Sequence, residues 1–225
     1  MVWIAGAVGP LGKRLAPLGP VTPNQAGEAF RRQVAILAAA GADLIILETF
    51  TDLEELREGV RAAREASSLP LIAQMTLTEE GRTEMGVTPA EIVHALEELG
   101  VDVIGLNCSV GPGPMLDAVG EMAKVARGPL SAQPNAGFPA YVSGRYVYRS
   151  SPEYMAEQAR HMAELGVAVI GGCCGTTPEH MAKIRDALQT ARRRGAPAGG
   201  GVTLRPRVEP TQAAAVPAPP TGLQQ

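Results

Sequence analysis

Aromatic residues are scarce in this chain, at 4% of 225 residues. Stacking platforms for nucleic-acid bases therefore have few candidates. A charge excess is lacking too. Twenty basic residues against 23 acidic ones give a net charge of −3, so no electrostatic footprint points to nucleic acid. No apolar run approaches the roughly 18–20 residues of a membrane span. The N-terminus has no basic segment followed by an apolar one, so secretion is not indicated. Cysteine is limited to three residues, two of them adjacent, which excludes a closed disulfide framework. A reducing, cytoplasmic setting is the expectation, and there clustered thiols more often serve metal binding or catalysis.

What is present is a repeated pattern. Apolar runs without alternation occur at residues 2–8, 43–49, 71–76, 101–106, 130–133 and 167–170. Each precedes an amphipathic stretch, and most of these open on a helix-start signal: Thr22-Pro23, Asp52, Thr88-Pro89, Ser151-Pro152 and Thr177-Pro178. Buried strands alternating with helices predict a parallel sheet covered by helices. Polar residues gather where the strands end: Glu48, Gln74, Thr76, Asn107, Cys108, Gln133, Asn135, Cys173 and Cys174. In a (β/α)8 barrel that end carries the active site. No dinucleotide fingerprint or phosphate loop favours an open doubly wound sheet. About six of the eight βα units of a TIM barrel are legible, over residues 1–195. Residues 196–225, rich in Gly, Pro, Ala and Gln, read as a disordered linker or tail.

All three cysteines fall at strand ends. Cys108 follows residues 101–106, and Cys173-Cys174 lie in Gly171-Gly172-Cys173-Cys174-Gly175-Thr176-Thr177-Pro178. Neighbours in a regular strand face opposite ways. Cys173 and Cys174 can share one ion only where the backbone has left the strand, and the flanking glycines permit that. Three thiolates suit tetrahedral Zn²⁺ and leave one position for a substrate. Buried core thiols, or an oxidised Cys173–Cys174 pair that leaves Cys108 unexplained, are the plainer alternatives. The three histidines, His94, His161 and His180, sit on predicted helices and read as solvated. Asn107 reads as a loop-shaping side chain. Asn135 and Gln133 either line a pocket or satisfy backbone groups.

The block Asn107-Cys108-Ser109, joined to the paired-cysteine block, resembles the zinc motifs of the cobalamin-type homocysteine S-methyltransferases. Gly9-Pro10-Leu11-Gly12, Glu48-Thr49-Phe50 and Gln133-Pro134-Asn135-Ala136-Gly137 resemble further blocks of that family in the same order. Within it, the chain is most similar to the methyltransferase half of the bifunctional enzymes that continue into a methylenetetrahydrofolate reductase. The resemblance implies a TIM barrel and Zn²⁺ on Cys108, Cys173 and Cys174. It further implies homocysteine as thiol acceptor, with Glu48 on its ammonium group and Asn107 beside it. The product would be methionine. The donor stays open among methylfolate, a methylcobalamin protein, S-methylmethionine and S-adenosylmethionine. Family members begin with an Asp-Gly-containing strand and a second βα unit that have no counterpart here. The chain therefore reads as truncated, and a non-catalytic zinc-binding partial barrel is the rival expectation. A homo-oligomer paired along open strand edges, or a fused reductase domain, would accompany either reading.

Overall fold

Helix starts are fixed by local chemistry before any packing is considered. In the computed structural model, which describes residues 2–193, the Thr22 hydroxyl accepts the Gln25 N–H, and Gln25 reaches back to the Thr22 backbone. Thr88 and Glu91 repeat that reciprocal cap. Asp52 and Ser151 cap through their side chains alone. Each cap satisfies N–H groups that a helix end leaves without partners. The tail expected over residues 196–225 lies outside the described residues.

The elements follow in the order β1 (Ala5–Val8), α1 (Pro23–Ala39), β2 (Leu44–Phe50), α2 (Leu53–Ala66), β3 (Leu71–Met75), α3 (Pro89–Glu98) and β4 (Val103–Asn107). Next come α4 (Pro112–Ala123), β5 (Leu130–Gln133), β6 (Ala140–Val142), β7 (Arg145–Val147), α5 (Pro152–Glu164), β8 (Val167–Ile170) and α6 (Pro178–Arg193). Six strands form one sheet in the order β1-β2-β3-β4-β5-β8, and every pair in it is parallel. This is the strand–helix arrangement of a (β/α)8 barrel over six units. No described helix is long and apolar enough to cross a membrane.

Three features go beyond the strands expected from the sequence. The first strand begins at Ala5, not residue 2, and Val2, Trp3 and Ile4 are exposed. A two-stranded antiparallel hairpin, β6–β7, rises from the loop after β5. Its strands have three residues each and largely exposed side chains, so they carry no burial pattern to read. Finally, the order of the strands sets how the cysteines meet. Strands β4 and β8 both border β5, so Cys108 and Cys173 meet across one intervening strand.

Two apolar layers hold the sheet. Between strands and helices lie Phe30, Leu47, Phe50, Leu56, Ile92, Leu96, Met115 and Met122, all fully buried. On the other face, Leu44, Ile46, Ile72 and Val103 pack with Val169, a plug at the foot of the barrel interior. One layer higher, the Gln74 amide donates to Ser131 Oγ at 2.9 Å. The register Gln74↔Gly105 and Gly105↔Ser131 places a glycine between them. A Cβ at Gly105 would lie 2.0 Å from Ser131 Oγ and 2.3 Å from the Ser131 carbonyl oxygen. Gly105→Ala is therefore expected to cost about 1–3 kcal/mol of stability, read as a lowered urea midpoint. A midpoint equal to that of the unaltered chain would show that this contact is not tight.

Candidate metal centre

The upper rim of the barrel interior is polar, and strand ends set its geometry. Strand β4 ends at Asn107, and the next two residues take left-handed backbone angles, φ +60° at Cys108 and +56° at Ser109. Such angles are unfavourable for non-glycine residues and persist only where the surroundings enforce them. Here they do. The Cys108 N–H donates to the Gln133 carbonyl at 3.0 Å, Val110 to the Cys108 carbonyl at 2.7 Å, and Asn135 to the Val110 carbonyl at 3.0 Å. Thr76 Oγ1 lies 2.5 Å from Ser109 Oγ. The net effect is to turn the Cys108 sulfur across the top of β5.

Strand β8 ends at Ile170, so Cys173 and Cys174 are free of strand alternation. The Cys173 N–H donates to the Pro134 carbonyl at 2.8 Å, and the Cys174 N–H to Asn135 Oδ1 at 3.0 Å. Two glycines make the turn possible. A Cβ at Gly172 would fall 2.3 Å from Thr176 Cγ2, and Gly175, at φ +77°, has the Tyr148 ring where its Cβ would be. The sulfurs of Cys108, Cys173 and Cys174 all lie within 4.8 Å of one another, and Cys108 and Cys174 are 3.7 Å apart. Sulfurs at about 2.3 Å from a tetrahedral Zn²⁺ would stand about 3.8 Å from each other. The donor set fits that ion. The thiols sit together at the surface of the site, not in the core, and they are free.

Crowding couples their protonation. The Cys173 thiol donates to Cys108 and holds Cys108 far below the ordinary thiol value, at about 5, helped by Ser109, Cys174 and Asn135 and opposed by burial. Cys173 is pushed up, first by that same bond, then by burial and by the negative charge on its neighbours. The Cys108 and Cys173 thiols thus share a proton, with the negative charge favoured on Cys108.

Glu48 and Asn107 meet at the same rim. Asn107 is fully buried. Its Oδ1 accepts the Thr49 N–H at 2.7 Å, and its Nδ2 lies 2.8 Å from Thr49 Oγ1, 3.4 Å from Glu48 Oε2 and 3.9 Å from Cys173 Sγ. Asn107 thereby links the carboxylate to the sulfur cluster. Glu48 is half-buried and makes no salt bridge among the described residues. Asn135 serves a backbone group of the cysteine turn, and Gln133 lies against Gly171.

Three residues escaped the sequence reading. Thr49, at φ +64°, clamps Asn107, and nothing in its sequence context signals this. Tyr148 packs on Gly175, and its hydroxyl is raised in pKa, by partial burial first and then by the Cys174 sulfur beside it. His180 is a correction. It is buried, not solvated, and bonded through both ring nitrogens. Its place three residues after Thr177 was the available signal, since that is the return position of a capping box.

Fold and site together define a TIM-barrel-like parallel α/β fold with a cluster of three thiols at the carboxyl ends of its strands. A family model for homocysteine S-methyltransferase matches residues 1–188, and the chain belongs to that family. It is 34% identical over 192 residues to a methionine synthase of Mycobacterium leprae, covering 83% of this chain and 16% of the relative. It is 34% identical over 197 residues to a methionine synthase of Mycobacterium tuberculosis, covering 85% and 16%. The chain thus spans a small part of the length of these relatives. Among solved structures, the apo homocysteine methyltransferase MmuM from Escherichia coli matches with a TM-score of 0.66 at 23% identity, over 83% of this chain and 62% of that one. Its metallated form matches with a TM-score of 0.59 at 24% identity, over 82% and 61%. These two share the fold.

The thiol cluster makes a direct prediction for the metal-free chain. An ordinary thiol with a pKa near 8.5 loses about 80-fold in thiolate between pH 8 and pH 6. One cysteine here, Cys108, should alkylate with iodoacetamide almost as fast at pH 6 as at pH 8. Peptide mapping that finds all three slowed like free thiols would contradict the coupling.

Proposed function

We propose that this chain transfers a methyl group to the thiol of homocysteine, forming methionine, with Zn²⁺ held by Cys108, Cys173 and Cys174. The observation that carries the reading is the convergence of three sulfurs within 4.8 Å beside Glu48, in a chain of the homocysteine S-methyltransferase family. When bound, Zn²⁺ would lower the pKa of an incoming thiol, while three thiolate ligands leave the ion too electron-rich to favour hydroxide.

The chain's own residues supply the rest. The Glu48 carboxylate offers a charge-assisted contact for the ammonium group of the amino-acid substrate. Asn107 fixes that carboxylate and keeps it in register with Cys173. The acceptor thiol releases its proton to solvent, and its sulfur bonds the methyl carbon as the bond from that carbon to the donor breaks and its electron pair leaves with the donor, so the barrel's task is to orient the two partners. A cleft of about 120 Å³ borders the Cys108 turn at Thr76, Ser109 and Phe138. The donor classes are methylfolate, a methylcobalamin protein, S-methylmethionine and S-adenosylmethionine. A reducing, cytoplasmic compartment suits the free thiols.

The test is methionine formation from homocysteine across those four donors, with metal content measured in parallel. The unaltered chain should retain one equivalent of zinc, and Cys174→Ser should weaken zinc binding on the order of a hundredfold or more. Stoichiometric zinc without methyl transfer from any donor would overturn the catalytic reading. Glu48→Gln should lower kcat/KM for homocysteine by about 10- to 100-fold, the loss of one charge-assisted bond, chiefly through KM. An unchanged KM would remove Glu48 from substrate binding.

A further inference from the structure

A ring of hydrogen bonds ties down the Cys173–Cys174 turn. The Ala136 N–H donates to the Cys174 carbonyl at 2.9 Å, and the Ser150 N–H donates to the Ala136 carbonyl at 2.9 Å. The Ser150 carbonyl lies 3.0 Å from His180 Nε2. On the other side of the imidazole, Nδ1 lies 3.2 Å from the Thr177 backbone nitrogen and 2.8 Å from Thr177 Oγ1. Thr177 stands three residues after Cys174, so the path returns to its start.

The partners assign the imidazole. A carbonyl can only accept, so Nε2 carries the proton toward Ser150. A backbone N–H can only donate, so Nδ1 is the acceptor toward Thr177. His180 is 7% exposed, and each other link in the ring is backbone. It therefore joins the start of α6, just past the cysteines, to Ser150, the residue before the α5 cap Ser151. Without the imidazole, the ring opens between Ser150 and Thr177. The Cys174 carbonyl then keeps its Ala136 contact but loses the brace behind it.

We infer that His180 is a positioning residue for the metal centre: its Nε2–H bond to Ser150 and its Nδ1 bond to Thr177 hold the Cys173–Cys174 turn in the shape that points Cys174 at Cys108. The consequence for metal binding rests on the zinc reading above. The ring of bonds does not. A simpler role is helix capping alone, because an acceptor three residues after the capping threonine is all that a cap needs. The chain itself separates the two. Glu91 caps Thr88 in that way, and an ionised glutamate cannot donate to Ser150.

His180→Glu thus keeps the cap and deletes the brace. Zinc affinity, measured by chelator competition, should fall about 10- to 100-fold, as when a group that orients a ligand is lost. With Co²⁺ as probe, the thiolate-to-metal charge-transfer bands should shift, and the Ser150 amide should lose protection from hydrogen exchange. Unaltered zinc affinity, Co²⁺ spectrum and Ser150 protection in His180→Glu would reduce His180 to a helix cap. Should the variant not fold, the unaltered chain decides. Its ¹⁵N spectrum must show His180 protonated at Nε2 with a slowly exchanging proton, and protonation at Nδ1 overturns the assignment. If the unaltered chain binds neither metal, the zinc reading fails, and the tautomer and the Ser150 amide still test His180.

Discussion

Three thiol sulfurs within 4.8 Å of one another cannot all carry charge in the absence of a cation. Much of the upper barrel is arranged around that constraint. Each cysteine backbone N–H is spent on a neighbouring loop: Cys108 on Gln133, Cys173 on Pro134, Cys174 on Asn135. All three acceptors are consecutive, residues 133–135, running from the last residue of β5 into the loop after it. That short stretch is the template on which the two cysteine loops are laid, one from each side. A cation is what would let such a cluster hold three thiolates at once.

Beneath the centre, the barrel interior is graded. The foot is apolar, at Leu44, Ile46, Ile72 and Val103. The middle is a single amide–hydroxyl bond between Gln74 and Ser131, made possible by Gly105. The rim holds Glu48, Asn107 and the sulfurs. Alternation along each parallel strand produces this grading, since every second residue faces inward. On the proposed reading, an amino acid at the rim would meet charge and sulfur on the same level, with the Gln74–Ser131 pair beneath it. The outer core of Phe30, Phe50 and their neighbours keeps the strand ends in place by packing helices on the opposite face.

Much of this was legible in the residues. Apolar runs located the six parallel strands, and β5 and β8 fall on the expected positions. Capping motifs placed the helix starts at Pro23, Pro89 and Pro152. Glycines around Cys173-Cys174 announced a break from strand geometry, which the structure shows. What was hidden depended on tertiary partners. The β6–β7 hairpin buries little, so no period marks it. Thr49 matters because Asn107, 58 residues away, needs its N–H and hydroxyl. For His180 the sequence signals only a cap on Thr177, and its bond to Ser150 depends on another segment. The sheet order, too, is invisible locally: that β4 and β8 share β5 as a neighbour emerges only once the parallel ladder is assembled.

The proposed function rests on Cys108, Cys173 and Cys174 sharing one ion, for which their sulfurs lie close enough. X-ray absorption at the zinc edge of the metal-loaded chain reports that arrangement directly. Three sulfur neighbours at about 2.3 Å, rising to four when homocysteine is added, is the outcome the geometry requires. Two or fewer sulfur neighbours, or a count that homocysteine leaves unchanged, would contradict it.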